Sequence, residues 1–300
     1  MRHLFAVTTI DLGGPVHYVD HGGDGPPLVL VHGLGGSHVN WCAVAPALAR
    51  THHVYALDLP GFGRTPLGAR STRLDANTAL IAQFIGRVAG GRATLVGNSM
   101  GGMLSMMTAA QYPYRVDHLV LVNASYPPVR GMPVDREIAL VFAMYMLPFV
   151  GEVVMQRRAA RMTAEQLVHE TMRVCCAEPE KLSREIIEAH VGIAQERRSM
   201  EWAPRAFLVA ARSIVRALAR PRKLVEMADA IRAPTLVIHG DRDRLVPLAA
   251  ARAAATRRNW QLEIFHGIGH VPQLEAPERF VALVNKFTLT SPGLHASTAE

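Results

Sequence analysis

Ser99 stands between two glycines in Gly97-Asn98-Ser99-Met100-Gly101, after the apolar run 93–96 and before a helix-compatible run, 103–111. Strand, sharp turn and helix in that succession force the central residue into a strained backbone, which small residues two positions either side make room for. A serine hydroxyl held this way is still a poor nucleophile until a base takes its proton, and that base must itself be oriented by a third group. Histidines and carboxylates are therefore the partners to look for. Asp241 and Asp243 follow the apolar run 235–238, and His266 and His270 follow the run 262–265. Residue type alone leaves open which of each pair serves. The chemistry implied is acyl transfer through serine, which requires neither a metal nor an organic cofactor.

The elements that must position these residues can be read from the apolar periods. Stretches 4–10 and 16–20 are β-rich and meet at Gly13-Gly14-Pro15, a hairpin signal. The continuous apolar run 28–31 suits a strand buried on both faces, so the sheet turns parallel there. A loop at 32–37, a helix near 41–50, a strand at 54–57 and a helix at about 73–89 then lead to the strand and turn at 93–99. Further buried strands are expected at 119–122, 235–238 and 262–265, with a last helix at about 277–287. Strands alternating with helices imply an α/β fold with a doubly wound, mostly parallel sheet. The expected organisation is a core in two parts, 1–125 and 233–290, an inserted helical cap or lid over 126–232, and a flexible tail at 291–300.

Five stretches together resemble the alpha/beta-hydrolases, and they fall in that family's order. They are the turn around Ser99, Val-His-Gly-Leu-Gly-Gly-Ser at 31–37, Asp-Leu-Pro-Gly-Phe-Gly-Arg at 58–64, Gly-Asp-Arg-Asp-Arg-Leu-Val-Pro at 240–247, and Gly-Ile-Gly-His-Val-Pro at 267–272. The resemblance implies Ser99, then an acid, then a histidine as a triad. It selects Asp243, the second acid of the G-D-x-D-x-x-V-P pattern, and His270, which stands in a G-H-x-P context; Asp241 is left to bond loop amides. The oxyanion of a tetrahedral intermediate needs two aimed donors. The Met100 amide, directly after the nucleophile at a helix start, offers one, and the resemblance supplies the Leu34 amide as the other. His32 reads as structural, 58–64 as a structural turn near the pocket, and Trp41 and Phe62 as candidates to line that pocket.

The activity this implies is hydrolysis of a small hydrophobic carboxylic ester, by a carboxylesterase or lipase-like enzyme. The alternative is a carbon–carbon bond hydrolase of aromatic meta-cleavage products, which Gly97-Asn98-Ser99-Met100-Gly101-Gly102 also resembles. Those enzymes commonly carry Trp after the catalytic histidine and a proline in the first glycine loop, where this chain has Val271 and Gly35-Gly36-Ser37. Serine rather than aspartate at the nucleophile position argues against an epoxide hydrolase or dehalogenase. A non-enzymatic ligand-binding member of the fold is a third reading, against which the intact triad counts.

Composition narrows the partners. Three hundred residues can bury a sizeable core without staples, and three cysteines, Cys42, Cys175 and Cys176, suit neither a disulfide framework nor zinc spacing. With no signal-peptide pattern read at 1–14, a cytoplasmic protein is expected. Net charge is +7, with 29 arginines among the 32 basic residues, yet no basic stretch is interleaved with aromatics as nucleic-acid readers require. Residues 126–232 carry +4 of that charge, which could draw the cap to an anionic lipid surface. The longest apolar run, 138–150, contains Pro148 and is too short to span a bilayer. It is expected to turn part of its apolar face to the active site and favour longer acyl chains.

Overall fold

The structure is a computed structural model that describes residues 6–129, 131, 135–257, 259–291 and 293. Its strands are β1 (Ala6–Asp11), β2 (Pro15–Asp20), β3 (Pro27–Val31), β4 (His53–Leu57), β5 (Ala93–Asn98), β6 (Val116–Val122), β7 (Thr235–Gly240) and β8 (Trp260–Phe265). They form one sheet in the order β1-β2-β4-β3-β5-β6-β7-β8. The β1–β2 hairpin pairs antiparallel and β2 joins β4 antiparallel, and every later pairing is parallel.

The helices are α1 (Ala45–Leu48), α2 (Leu74–Arg87), α3 (Met100–Gln111), α4 (Arg136–Met146), α5 (Val150–Arg161), α6 (Ala164–Cys175), α7 (Arg184–Arg197), α8 (Ala203–Leu218), α9 (Pro221–Asp229), α10 (Leu248–Ala254), α11 (Pro272–Glu275) and α12 (Pro277–Thr290). Six of them, α4 to α9, lie in the chain between β6 and β7. Successive side chains of a strand point to opposite faces. Val29, Val31 and Leu95 accordingly enter one core with Ile81, Phe84, Met103 and Leu104 of α2 and α3. Leu28, Leu30 and Val96 enter the other with Trp41, Phe280, Val284 and Phe287. Because both faces are covered, the central strands read as unbroken apolar runs, and each fully buried large side chain contributes roughly 1.5–3 kcal/mol.

The chain runs from β3 outward to β4 and then crosses back to place β5 on the other side of β3. Such a reversal opens a crevice at the carboxyl ends of the two flanking strands, where ligands of open α/β sheets bind. Those ends deliver His32-Gly33-Leu34 and Ser99.

Local corrections are few. In place of one helix over 41–50 there is a 3-10 turn, His38–Trp41, and the short α1. Pro46 explains the break: it has no N–H and its ring is tolerated only in a helix's first turn, so the helix starts at Ala45. Residues 4 and 5 of the expected first strand lie outside the described residues, as does all of the expected tail except Ser291 and Gly293.

Candidate active site

Ser99 closes β5 and caps α3 with φ 56° and ψ −116°, one of three non-glycine residues with positive φ among those described. The flanking glycines are dictated by space. A Cβ on Gly97 would lie 2.3 Å from the Gly101 carbonyl oxygen, and one on Gly101 would lie 2.1 Å from the Val31 carbonyl oxygen. Backbone atoms cannot swing aside, so strand and helix meet at this angle only with glycine at both positions. The serine backbone is pinned from below, its N–H donating to the Val122 carbonyl (3.0 Å) and its carbonyl accepting from Ser125 N–H (3.2 Å).

Both expected oxyanion donors lie beside it. Met100 is fully buried at the start of α3, where the first amides of a helix have no intrahelical acceptor. Neither the Met100 nor the Leu34 N–H has a hydrogen-bond partner among the described residues. Gly33, just before Leu34, approaches so closely that its Cβ would be 3.2 Å from Ser99 Cβ. His32 holds this loop. Its Nδ1–H donates to the Gly33 carbonyl (2.7 Å) and its Nε2 accepts from Leu59 N–H (3.1 Å), the pattern of a neutral ring. Burial pushes its pKa down to about 4, so His32 stays neutral and structural.

The two acid–histidine pairs separate cleanly. Asp241 accepts from His266 Nδ1 (2.8 Å) and Gly267 N–H (2.7 Å) at the surface. Asp243 accepts from His270 Nδ1 (2.8 Å), with both side chains buried. Its other donors are Asn123 Nδ2 (2.7 Å) and the amides of Leu245 (2.7 Å) and Val246 (3.1 Å). Burial alone would raise the Asp243 carboxyl, but the His270 ring, His239 and Asn123 outweigh it and hold the group below its ordinary value. An ionised Asp243 on Nδ1 leaves His270 Nε2 as the proton acceptor, the tautomer that a serine's general base requires.

Four residues of the site escaped the sequence reading. Asn98 Nδ2 donates to the carbonyls of Val122 (3.1 Å) and His270 (3.0 Å), tying His270 to the residue before Ser99. Asn123, at φ 44° just past β6, bonds both Asp243 and the Gly269 carbonyl (3.2 Å). The Asn after the apolar run 119–122 was its visible signal, because asparagine tolerates the left-handed region. His239 lies 3.7 Å from Asp243 and donates from Nε2 to the Val246 carbonyl (3.0 Å).

Glu275 is the fourth. Its carboxylate accepts from Gly269 N–H (3.0 Å) and Ala177 N–H (2.7 Å), while His270 N–H donates to the Cys175 carbonyl (2.6 Å). The segment after α6 is thereby clamped to the histidine loop, and burial raises the Glu275 carboxyl despite its amide donors.

Asp58 organises the turn at 58–64. It is fully buried and accepts from His17 Nδ1 (2.8 Å), His38 Nδ1 (2.9 Å), His38 N–H (2.6 Å) and Arg64 N–H (2.9 Å). Burial would raise it, but the His17 and His38 donors dominate and hold it far below the usual carboxylate range. The stretch 58–64 is thus the expected structural turn. Trp41 and Phe62, read as candidate pocket residues, are instead fully buried, Trp41 against Phe280 and Phe62 beneath the Arg197 guanidinium.

A model of the alpha/beta hydrolase fold family matches residues 26–277. The chain is 30% identical over 284 residues to a 2-hydroxy-6-oxononadienedioate/2-hydroxy-6-oxononatrienedioate hydrolase of Burkholderia vietnamiensis, covering 91% of this chain and 90% of that protein. It is 32% identical over 271 residues to a 2-hydroxy-6-oxo-2,4-heptadienoate hydrolase of Pseudomonas putida, covering 88% and 90%. Among solved structures, a meta-cleavage product hydrolase of Pseudomonas fluorescens superposes with a TM-score of 0.73 at 23% identity, covering 95% of this chain and 98% of that one.

Proposed function

The chain belongs to the alpha/beta-hydrolase family, and from that premise we propose that it is a serine hydrolase of a 2-hydroxy-6-oxo-dienoate, cleaving the carbon–carbon bond beside the 6-oxo carbon. The observation that carries this reading is the 30–32% identity, over about nine-tenths of each chain, to hydrolases named for such substrates. The ester reading from sequence draws on the fold alone, though Val271 and Gly35-Gly36-Ser37 keep it as the second reading.

Both readings use the same residues. Ser99 Oγ attacks the carbonyl carbon as His270 takes its proton, with Asp243 holding the imidazole and stabilising the imidazolium. The Met100 and Leu34 amides receive the oxyanion, each donor worth about 2.7–4 kcal/mol of barrier. In the carbon–carbon case the dienol first ketonises, its 2-hydroxyl proton passing to C5; when the C5–C6 bond then breaks, its electron pair is delocalised through the C3–C4 double bond onto the 2-oxygen, which takes the proton from His270. Water then attacks the acyl-Ser99 ester, again with His270 as base.

The test is side-by-side steady turnover of 2-hydroxy-6-oxo-2,4-heptadienoate and p-nitrophenyl butyrate by wild type and Ser99→Ala. The reading expects wild type to consume the dienoate and the variant to leave it intact. Hydrolysis of the ester with no loss of the dienoate would replace it with the ester reading.

A further inference from the structure

Five of the nine exposed large apolar residues among those described lie within 140–153, at the bend between α4 and α5. Phe149 is 84% exposed, Leu140 63% and Leu147 53%, with Val150 and Val153 beside them. Residues 138–151 hold no charged side chain. The two helices turn by 112° across this break, so they present a corner; no single helix among the described residues is long and apolar enough to cross a membrane. The expected use of this run for substrate is therefore only part of the picture, since much of its apolar surplus faces solvent.

The corner is built to stay open. Arg212 of α8 donates to the carbonyls of Tyr145 (2.9 Å) and Leu147 (3.2 Å) and grips Glu152 (2.8 Å), fixing both arms. Tyr145 packs edge-on against Phe207 of α8 (ring centroids 5.5 Å apart), so α4 already has its docking face. Phe149 at the apex has φ 63°, a conformation a bulky residue adopts only when its surroundings impose it. Burial does not repay it here.

Each arm carries arginine away from the apex on the same exposed face. On α4 that face runs Arg136, Leu140, Ala143, Leu147, and on α5 it runs Val150, Val153, Arg157, Arg161, all spaced three or four residues apart. The neighbouring acids are neutralised, Glu137 by Arg244 (3.1 Å) and Glu152 by Arg212. Arg136, Arg157 and Arg161 have no acidic partner among the described residues. At about 1.5 Å of rise per residue, Arg157 lies about 12 Å along the chain from Phe149, the separation that puts an apolar tip in the acyl boundary and a guanidinium among headgroups.

We propose that the α4–α5 corner is a docking surface for an anionic lipid bilayer, with Leu147, Phe149, Val150 and Val153 entering the interface and Arg136, Arg157 and Arg161 meeting its headgroups. The charge pattern decides against a second copy as occupant. A two-fold contact at the apex would join two patches whose unpaired charges are all positive, whereas an anionic surface complements them. The inference goes beyond the proposed hydrolysis and holds whichever bond is cleaved.

The experiment is co-sedimentation of the full chain with phosphatidylcholine vesicles, with and without phosphatidylglycerol, at low and high salt. Binding is read without substrate, so failure of the hydrolase reading cannot mask the result. Three arginines near an anionic surface give a preference on the order of a hundredfold at low salt, shrinking as salt screens it. Leu147→Ser with Phe149→Ser should cut partitioning by about tenfold or more, and Arg157→Ala with Arg161→Ala should remove most of the preference for anionic vesicles, with circular dichroism unchanged in both. Absence of wild-type binding to phosphatidylglycerol vesicles, or wild-type binding by both variants, overturns the proposal. So does a dimer on size exclusion that Phe149→Ser converts to monomer while vesicle binding persists, which would give the corner to a second copy.

Discussion

Ser99 and its two partners carry predictions that differ in kind. Removing the hydroxyl with Ser99→Ala should lower kcat by at least about 10³-fold with an unchanged circular-dichroism spectrum, because alanine relieves crowding at the turn instead of adding to it. Near-wild-type turnover by a clean preparation would move the nucleophile elsewhere. The two aspartates provide an internal control, since each holds one histidine at 2.8 Å but only Asp243 does so in the buried site. Asp243→Asn should cost about 10³–10⁴-fold in kcat, through the wrong His270 tautomer, while Asp241→Asn stays within about threefold of wild type. The opposite ranking would reassign the acid. These residues were legible in the chain because the motifs encode local demands, such as glycine where a Cβ would strike backbone. Asn98, Asn123 and Glu275 were not, because each acts by touching loops far away in sequence, and only the folded chain brings those loops together.

At the scale of elements, the turn between β5 and α3 is the most sequence-determined part of the molecule. Gly97→Ala would drive a Cβ to 2.3 Å from a backbone oxygen and 2.5 Å from Ser105 Oγ, and should lower stability by about 3 kcal/mol or leave the protein insoluble. A urea midpoint equal to wild type would contradict that geometry. The strands were readable because both of their faces are buried, whereas the helix expected over 41–50 was overruled by Pro46. The helices between β6 and β7 were legible as helical but not as partners of the His270 loop, because the contact is made by backbone, through Cys175 and Ala177. Glu275→Gln tests this link. An amide offers one acceptor and an unwanted donor to the Gly269 and Ala177 N–H groups, so kcat should fall about tenfold with KM little changed. A purely structural Glu275 would lower the melting temperature and leave kcat per folded molecule intact.

For the molecule as a whole, the buried histidines make acid a destabilising direction. His32 has a pKa of about 4 when folded against 6.5 in the open chain, so the unfolded state takes up the proton first as pH falls. Its contribution is complete above pH 6.5 and is lost progressively down to about 4, a difference of about 3 kcal/mol. Asp58 and Asp243, whose carboxyls are depressed by their donors, add a further loss only below the ordinary carboxylate range. Urea midpoints measured from neutral pH down to pH 4.5 should therefore fall, and His32→Gln, which can still donate to Gly33 and accept from Leu59, should flatten the slope. An unchanged slope in that variant would take the effect away from His32. The most direct test of the central claim, that one serine of the whole chain is the nucleophile, is peptide mass mapping after exposure to a fluorophosphonate ester. The account predicts an adduct on Ser99 alone among the ten serines, formed at least about a hundredfold more slowly in Asp243→Asn. An adduct on any other residue, or a wild-type protein that stays unlabelled, would contradict it.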